Sequence, residues 1–148
     1  MSNAKQFLRE VRSEQREVTR LALKLEYLKK SILPGGIRYD MTKIQRSPDD
    51  KITELMAEIG DIETELEEDI RNLMQDIHTA RQMIRGLASS IQRDVLTQYY
   101  LPEIGLNDEL PTWRDIAISM HYSEHRILHI HGEALQQLNE KYSKVSIK

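Results

Sequence analysis

The stretch Pro111–Leu138, PTWRDIAISMHYSEHRILHIHGEALQQL, decides how this chain is read. Thr112 with Asp115 three residues on predicts an N-terminal capping pair, and Ile116, Ala117 and Met120 supply the inward face of a short helix. His121 and Tyr122 make a turn. Ser123 then caps a second helix whose apolar residues Ile127, Ile130, Ala134, Leu135 and Leu138 recur at three and four, leaving Glu124, His125, Leu128 and His129 facing outward. Two short helices around a three-residue turn have the spacing of a helix-turn-helix, whose outward face enters a DNA major groove. The same spacing also fits an ordinary helical hairpin in which caps and apolar residues serve packing alone.

Laid without gaps on region 4 of bacterial sigma factors, SEHRILHIHGEALQQL resembles the pattern Ser-x-x-Arg-Val-x-x-Ile-x-x-x-Ala-Leu-x-x-Leu, matching at Ser123, Arg126, Ile127, Ile130, Ala134, Leu135 and Leu138. Over nearly its whole length the chain is similar to the sigma-like regulators of phages and prophages of Gram-positive bacteria, the RinA/ArpU type. That resemblance implies a transcription regulator that binds double-stranded DNA, with host RNA polymerase as a candidate partner. It puts base and phosphate contacts on Glu124, His125, Leu128 and His129, next to the cap Ser123. Arg126, Thr112 and the tail lysines Lys141, Lys144 and Lys148 are then the phosphate holders. Glu124 and Leu128 stand where sigma factors usually carry arginine, and Pro102 to Pro111 is longer than the family's usual connection.

Charge bears on the same question. Between residues 111 and 138, Arg114 and Arg126 face Asp115, Glu124 and Glu133, a net −1 with histidines neutral. DNA affinity comes largely from Lys and Arg neutralising phosphates, so this module alone is expected to bind weakly and to lose binding steeply with salt. Further cations must come from the tail, from a second protomer, or through polymerase. His121, His125, His129 and His131 crowd the region, and His125 with His129 has a metal-pair spacing. The intervening Arg126-Ile127-Leu128 lacks the glutamate of a zinc-protease helix and cysteine is absent, so groove-facing side chains are expected rather than a metal or cofactor site. Protonation of this pair adds charge, so binding should strengthen below about pH 6.5.

At 148 residues, with 5% aromatic and 30% charged, the chain suits a small domain plus long exposed helices. The lack of cysteine fits a reducing cytoplasm, and no apolar run reaches the roughly 20 residues that span a membrane. Ser2-Asn3-Ala4 behind Met1 reads equally as a scar of tag removal or as a native start.

The front half follows a heptad count. Ala4, Val11, Val18, Leu25 and Ile32 fall at a, and Phe7, Glu14, Leu21 and Leu28 at d, so only Glu14 breaks the first seam. Leu33-Pro34-Gly35-Gly36 stops that helix, and Ser47-Pro48-Asp49-Asp50 starts the next. The second seam runs Ile52, Leu55, Ile59, Ile62, Leu66, Ile70, Leu73, Ile77, Ala80, Ile84, Leu87, with a stutter at Leu66 to Ile70 that should locally unwind a supercoil. Lys5 to Lys30 carries +4 and Lys51 to Asp69 carries −7, which favours pairing as an antiparallel coiled-coil hairpin. At 1.5 Å per residue the rods are roughly 43 and 58 Å long, so the second outruns the first. Its far end, with Met74 and Met83, needs the C-terminal module or a second protomer as partner, and a homodimer is expected over a self-closed monomer.

Ser90 should cap a further helix, Ile91 to Tyr100, whose Ile91, Val95, Leu96, Tyr99 and Tyr100 pack under the motif, with Trp113 as a core anchor. Glu63 to Asp69 reads as a solvated helix face, and no phosphate loop, nucleophile elbow or zinc signature occurs, so no enzyme is expected. The fold expected is all-α: a coiled-coil hairpin over 4–87, a sigma region 4-like helix-turn-helix domain over 88–142 and a basic tail over 143–148. Two alternatives to a DNA-binding regulator stay open: a small terminase subunit-like packaging protein that assembles as a ring, and a protein-binding adaptor without DNA affinity.

Overall fold

The computed structural model describes residues 3–32, 48–103 and 109–142. Among them are five α-helices and no strand: α1 (Ala4–Ile32), α2 (Pro48–Arg85), α3 (Ser90–Tyr100), α4 (Trp113–Met120) and α5 (Glu124–Tyr142). The chain is all-α. The stop at Leu33–Gly36, the start signal at Ser47, and Lys144 and Lys148 lie outside the described residues. No described helix is long and apolar enough to cross a membrane. The chain divides into two compact units, one of Met1–Arg16 with Asn72–Lys148 and one of Glu17–Arg71.

In the unit of Glu17–Arg71, Leu25, Ile59 and Ile62 are buried together, with Leu21, Leu28, Ile32 and Leu66 packed against them. Opposite charges meet across the two helices, Lys24 Nζ to Glu58 Oε1 at 4.0 Å and Lys29 Nζ to Glu63 Oε1 at 3.6 Å. Both pairs are about half exposed, so each contributes roughly 0–1 kcal/mol. The second seam departs from expectation at its stutter: Leu66 is only half-buried and Ile70 is 39% exposed.

The other unit holds two contiguous cores. In the first, Ala4, Phe7, Leu8 and Val11 of α1 meet Ala80, Met83 and Ile84 of α2, Leu96 and Tyr100 of α3, and Ala134, Leu135 and Leu138 of α5. Four helices converge there, so α1 buries more than a two-helix seam: Leu8 and Gln15, off the a and d positions, are both buried. Met83 finds its partner in this core, whereas Met74 is 66% exposed. In the second core, Val95, Ile116, Ala117, Ile127 and Ile130 join α3, α4 and α5, with Ile91, Tyr99, Trp113, Met120 and Tyr122 against them.

Local hydrogen bonding sets the helix ends. Asn3 Oδ1 accepts from Gln6 N–H at 2.8 Å at the start of α1, and Ala4 N–H reaches Asn139 Oδ1 of α5 at 2.9 Å. The cap of α3 is Ser89, not Ser90: Ser89 is extended, its Oγ accepts from Gln92 N–H at 3.3 Å, and its carbonyl accepts from Arg93 N–H at 3.1 Å. With two consecutive serines, the turn after Gly86 puts the first of them at the end of the extended segment, and Ser90 becomes the first helical residue.

Candidate nucleic-acid interface

Thr112 and Asp115 form a full capping box: Thr112 Oγ1 accepts from Asp115 N–H at 3.2 Å and Asp115 Oδ2 accepts from Thr112 N–H at 2.8 Å. The bond from the Thr112 backbone holds the Asp115 carboxyl below the ordinary carboxylate range. At the other end of α4, His121 N–H donates to Ile118 O at 3.3 Å and Tyr122 N–H to Ala117 O at 3.0 Å. This paired pattern is a Schellman motif. Its left-handed position, usually glycine, is taken by His121 at φ 60° and ψ 37°.

Ser123 then starts α5, with its Oγ accepting from Arg126 N–H at 3.1 Å. Ile127, Ile130, Ala134, Leu135 and Leu138 are buried along that helix. At 100° per residue, Glu124, Leu128, His125 and His129 span an arc of about 140° over the first two turns, and all four are exposed, while Leu135 falls at the same angle farther along and is buried. Thr112 and Ser123 are exposed beside them, and each hydroxyl that accepts a backbone N–H keeps its own proton to donate. The arc is not purely cationic. His129 Nε2 lies 3.0 Å from Glu133 Oε1, Leu128 is 45% exposed, and Arg126 lies with its guanidinium carbon 5.1 Å from the centroid of Tyr122.

Lys141 stands apart from the arc. It is about 120° around α5 from His129 and roughly 18 Å farther along the axis. Its Nζ sits where a side chain on Gly86 would begin, 2.5 Å from the ideal Cβ position there.

Beneath the arc lies an arrangement that sequence periodicity does not register. Tyr99 of α3 and Trp113 of α4 stack with centroids 3.7 Å apart and planes 5° from parallel, and the Arg12 guanidinium of α1 lies 3.8 Å from the same Tyr99 centroid. Two groups that close to one ring centroid must occupy opposite faces, so Tyr99 is clamped between α1 and α4. Arg12 also donates from Nη1 to Tyr99 O and from Nη2 to Pro111 O at 2.7 Å, and Gln15 Nε2 donates to Tyr100 O at 2.7 Å. Tyr99 O and Tyr100 O are last-turn carbonyls of α3, which lack helical partners, and a cation is favoured at that end of the helix dipole, while Pro111 O belongs to the approach to α4. Burial lowers the Arg12 pKa, yet a guanidinium stays charged.

His131 completes the group. Its Nε2 is 2.7 Å from Tyr100 Oη and its ring centroid 4.4 Å from that of Trp113. Burial, then Lys5 and Arg9, push the His131 pKa down to about 4. Burial likewise raises the Tyr100 pKa.

Known protein families, curated proteins and solved structures offer no match to this chain. Its reading therefore rests on its own residues. Of the site residues expected from sequence, Thr112 caps α4, and Ser123, Glu124, His125, Arg126, Leu128 and His129 lie at the cap and along the first two turns of α5, all of them exposed. Tyr99 and Tyr100 pack against α5 as the sequence predicts, whereas the inward roles of Arg12 and His131 escaped the sequence reading. With Val11 at a, Arg12 falls at b, a solvent-facing heptad position where a cation is ordinary, so the period carries no signal of its inward role.

Proposed function

We propose that this chain is a phage-type transcription regulator that binds double-stranded DNA through α4 and α5 as a sigma region 4-like helix-turn-helix. In this reading α1 and α2 form an antiparallel coiled-coil hairpin that joins two protomers, and the protein works in the cytoplasm together with RNA polymerase. His125 and His129 read the groove, while Thr112, Ser123 and Arg126 engage phosphates. The observation that carries the reading is α5 itself: a buried apolar stripe and, over its first two turns, an exposed arc of Glu124, His125, Leu128 and His129, set at the end of a capped helix and a tight left-handed turn. It is tested by selecting bound fragments from the source genome at low and moderate salt, with wild type and with His125→Ala/His129→Ala. Enrichment upstream of a gene block that the substitutions abolish supports the regulator, and enrichment at a packaging site redirects it to a terminase subunit.

A protein-binding adaptor is the second reading, favoured by two exposed apolar side chains, Ile118 at 66% on α4 and Leu128 at 45% on α5. Salt-independent binding to polymerase without DNA affinity would mark it.

A further inference from the structure

The α4–α5 face carries too little positive charge to hold DNA by itself, and the compact unit it belongs to contains a stripe of cations on a different helix. We propose that the first turns of α1 form part of the DNA interface, with Lys5, Arg9 and Arg16 neutralising backbone phosphates beside the α4–α5 face. The inference rests on the DNA-binding reading above and names where the missing charge comes from.

Three observations lead there. Lys5, Arg9 and Arg16 are exposed, and among the described residues none of them takes part in an ion pair or hydrogen bond. Around α1 they fall within about 40° of one another, over roughly 16 Å of axis, a length that faces about five phosphates of one strand at 3.4 Å each. Arg12, the fourth cation of this stretch, is committed inward to Tyr99 and Pro111, and its anchoring holds the stripe in register with the start of α4.

The stripe adjoins the approach to α4 and the later turns of α5. Arg9 and Arg16 share a cleft of about 250 Å³ with Ser13, Tyr99 and Leu110, two residues before the Thr112 cap of α4. Lys5 shares a groove with Gly132, Gln136, Asn139 and Glu140 of α5, beyond the first two turns that carry His125 and Leu128. Lys5 and Arg9 are also the two cations whose field reaches His131. A duplex seated on the first turns of α5 and extending along the helix past His129 brings its backbone to Lys5. On residues 3–16 the three outward cations stand against Glu10 and Glu14, and Glu140 of α5 lines the groove of Lys5.

The experiment is a salt titration of duplex binding, for the full chain and for the triple variant Lys5→Ala/Arg9→Ala/Arg16→Ala, on a selected fragment and on random DNA. Each lost phosphate contact removes about 0.9 from the slope of log K against log [salt]. The triple variant should weaken binding to both DNAs alike, lower the slope by about 2.7, and lose roughly 40-fold less affinity than wild type between 50 and 200 mM salt. Its thermal melt should match wild type, because all three side chains are exposed. Wild-type binding with an unchanged slope in the variant overturns the role of α1 while leaving the α4–α5 reading intact. Absence of DNA binding by wild type at 50 mM salt overturns both.

Discussion

The guanidinium of Arg12 lies 3.8 Å from the centroid of Tyr99, on the face opposite Trp113, and donates to the carbonyl of that same tyrosine. One side chain thus ties α1 to the end of α3 and, through Pro111, to the approach to α4. Arg12→Ala should cost about 2–3 kcal/mol in urea unfolding, because it leaves two carbonyls without donors and uncovers one ring face. Arg12→Lys should recover less than half, since an ammonium lacks the planar fork that reaches both carbonyls.

His131 predicts an acid limb in the stability profile. With its folded pKa near 4 and an ordinary value near 6.5, the unfolded chain takes up the proton first. The contribution of neutral His131 is complete above about pH 6.5 and declines as pH falls toward 4. Thermal melts from pH 7 to 4.5 should show a falling Tm in wild type and a shallower fall in His131→Gln, which keeps a partner for Tyr100 and has no proton to accept.

His121 occupies the left-handed position between α4 and α5. A β-branched residue is strained there, so His121→Val should lose about 1–2 kcal/mol, whereas His121→Gly should equal or exceed wild type by up to about 1 kcal/mol. Chemical denaturation of the two variants side by side measures both.

Glu124 is an exposed carboxylate in the first turn of α5, on the face proposed to meet DNA. Glu124→Arg should tighten binding at low salt and steepen the salt slope by about 0.9, the worth of one new phosphate contact. Unchanged binding in a titration from 50 to 200 mM would favour the adaptor reading.

Ile70 and Met74 lie one turn apart on α2, both exposed and on neighbouring positions of the helix. If they contribute to a seam between protomers, Ile70→Glu/Met74→Glu should halve the mass seen by light scattering without lowering helicity. A wild type that is already monomeric at micromolar concentration would sink the dimer.

Local chemistry was legible in the sequence wherever it acts over three or four residues. Thr112 to Asp115, Ser123 to Arg126 and the apolar spacing of α5 were readable because cap and period are properties of adjacent residues. Even there, the choice between Ser89 and Ser90 depended on how the chain leaves α2. The exposed residues of the candidate face were equally legible, since an exposed arc is the complement of a buried one. Their supports were not. Leu8 and Gln15 look like off-seam positions until α3 and α5 are laid against α1, and His131 looks like one more groove histidine until Tyr100 and Trp113 enclose it.

By itself, then, the sequence determined an all-helical chain, the ends of α4 and the start of α5, and which face of α5 is apolar, because helical period and capping are encoded within a few residues of each position. Only the tertiary structure decided that the first four turns of α1 belong in the same compact unit as α3, α4 and α5, and so put Lys5 against the later turns of α5 and Arg9 and Arg16 against the approach to α4. That placement depends on pairing residues 87 to 135 positions apart, such as Arg12 with Tyr99 and Ala4 with Asn139. No local pattern specifies such a pairing, because its free energy is realised only when the complementary surfaces have already met.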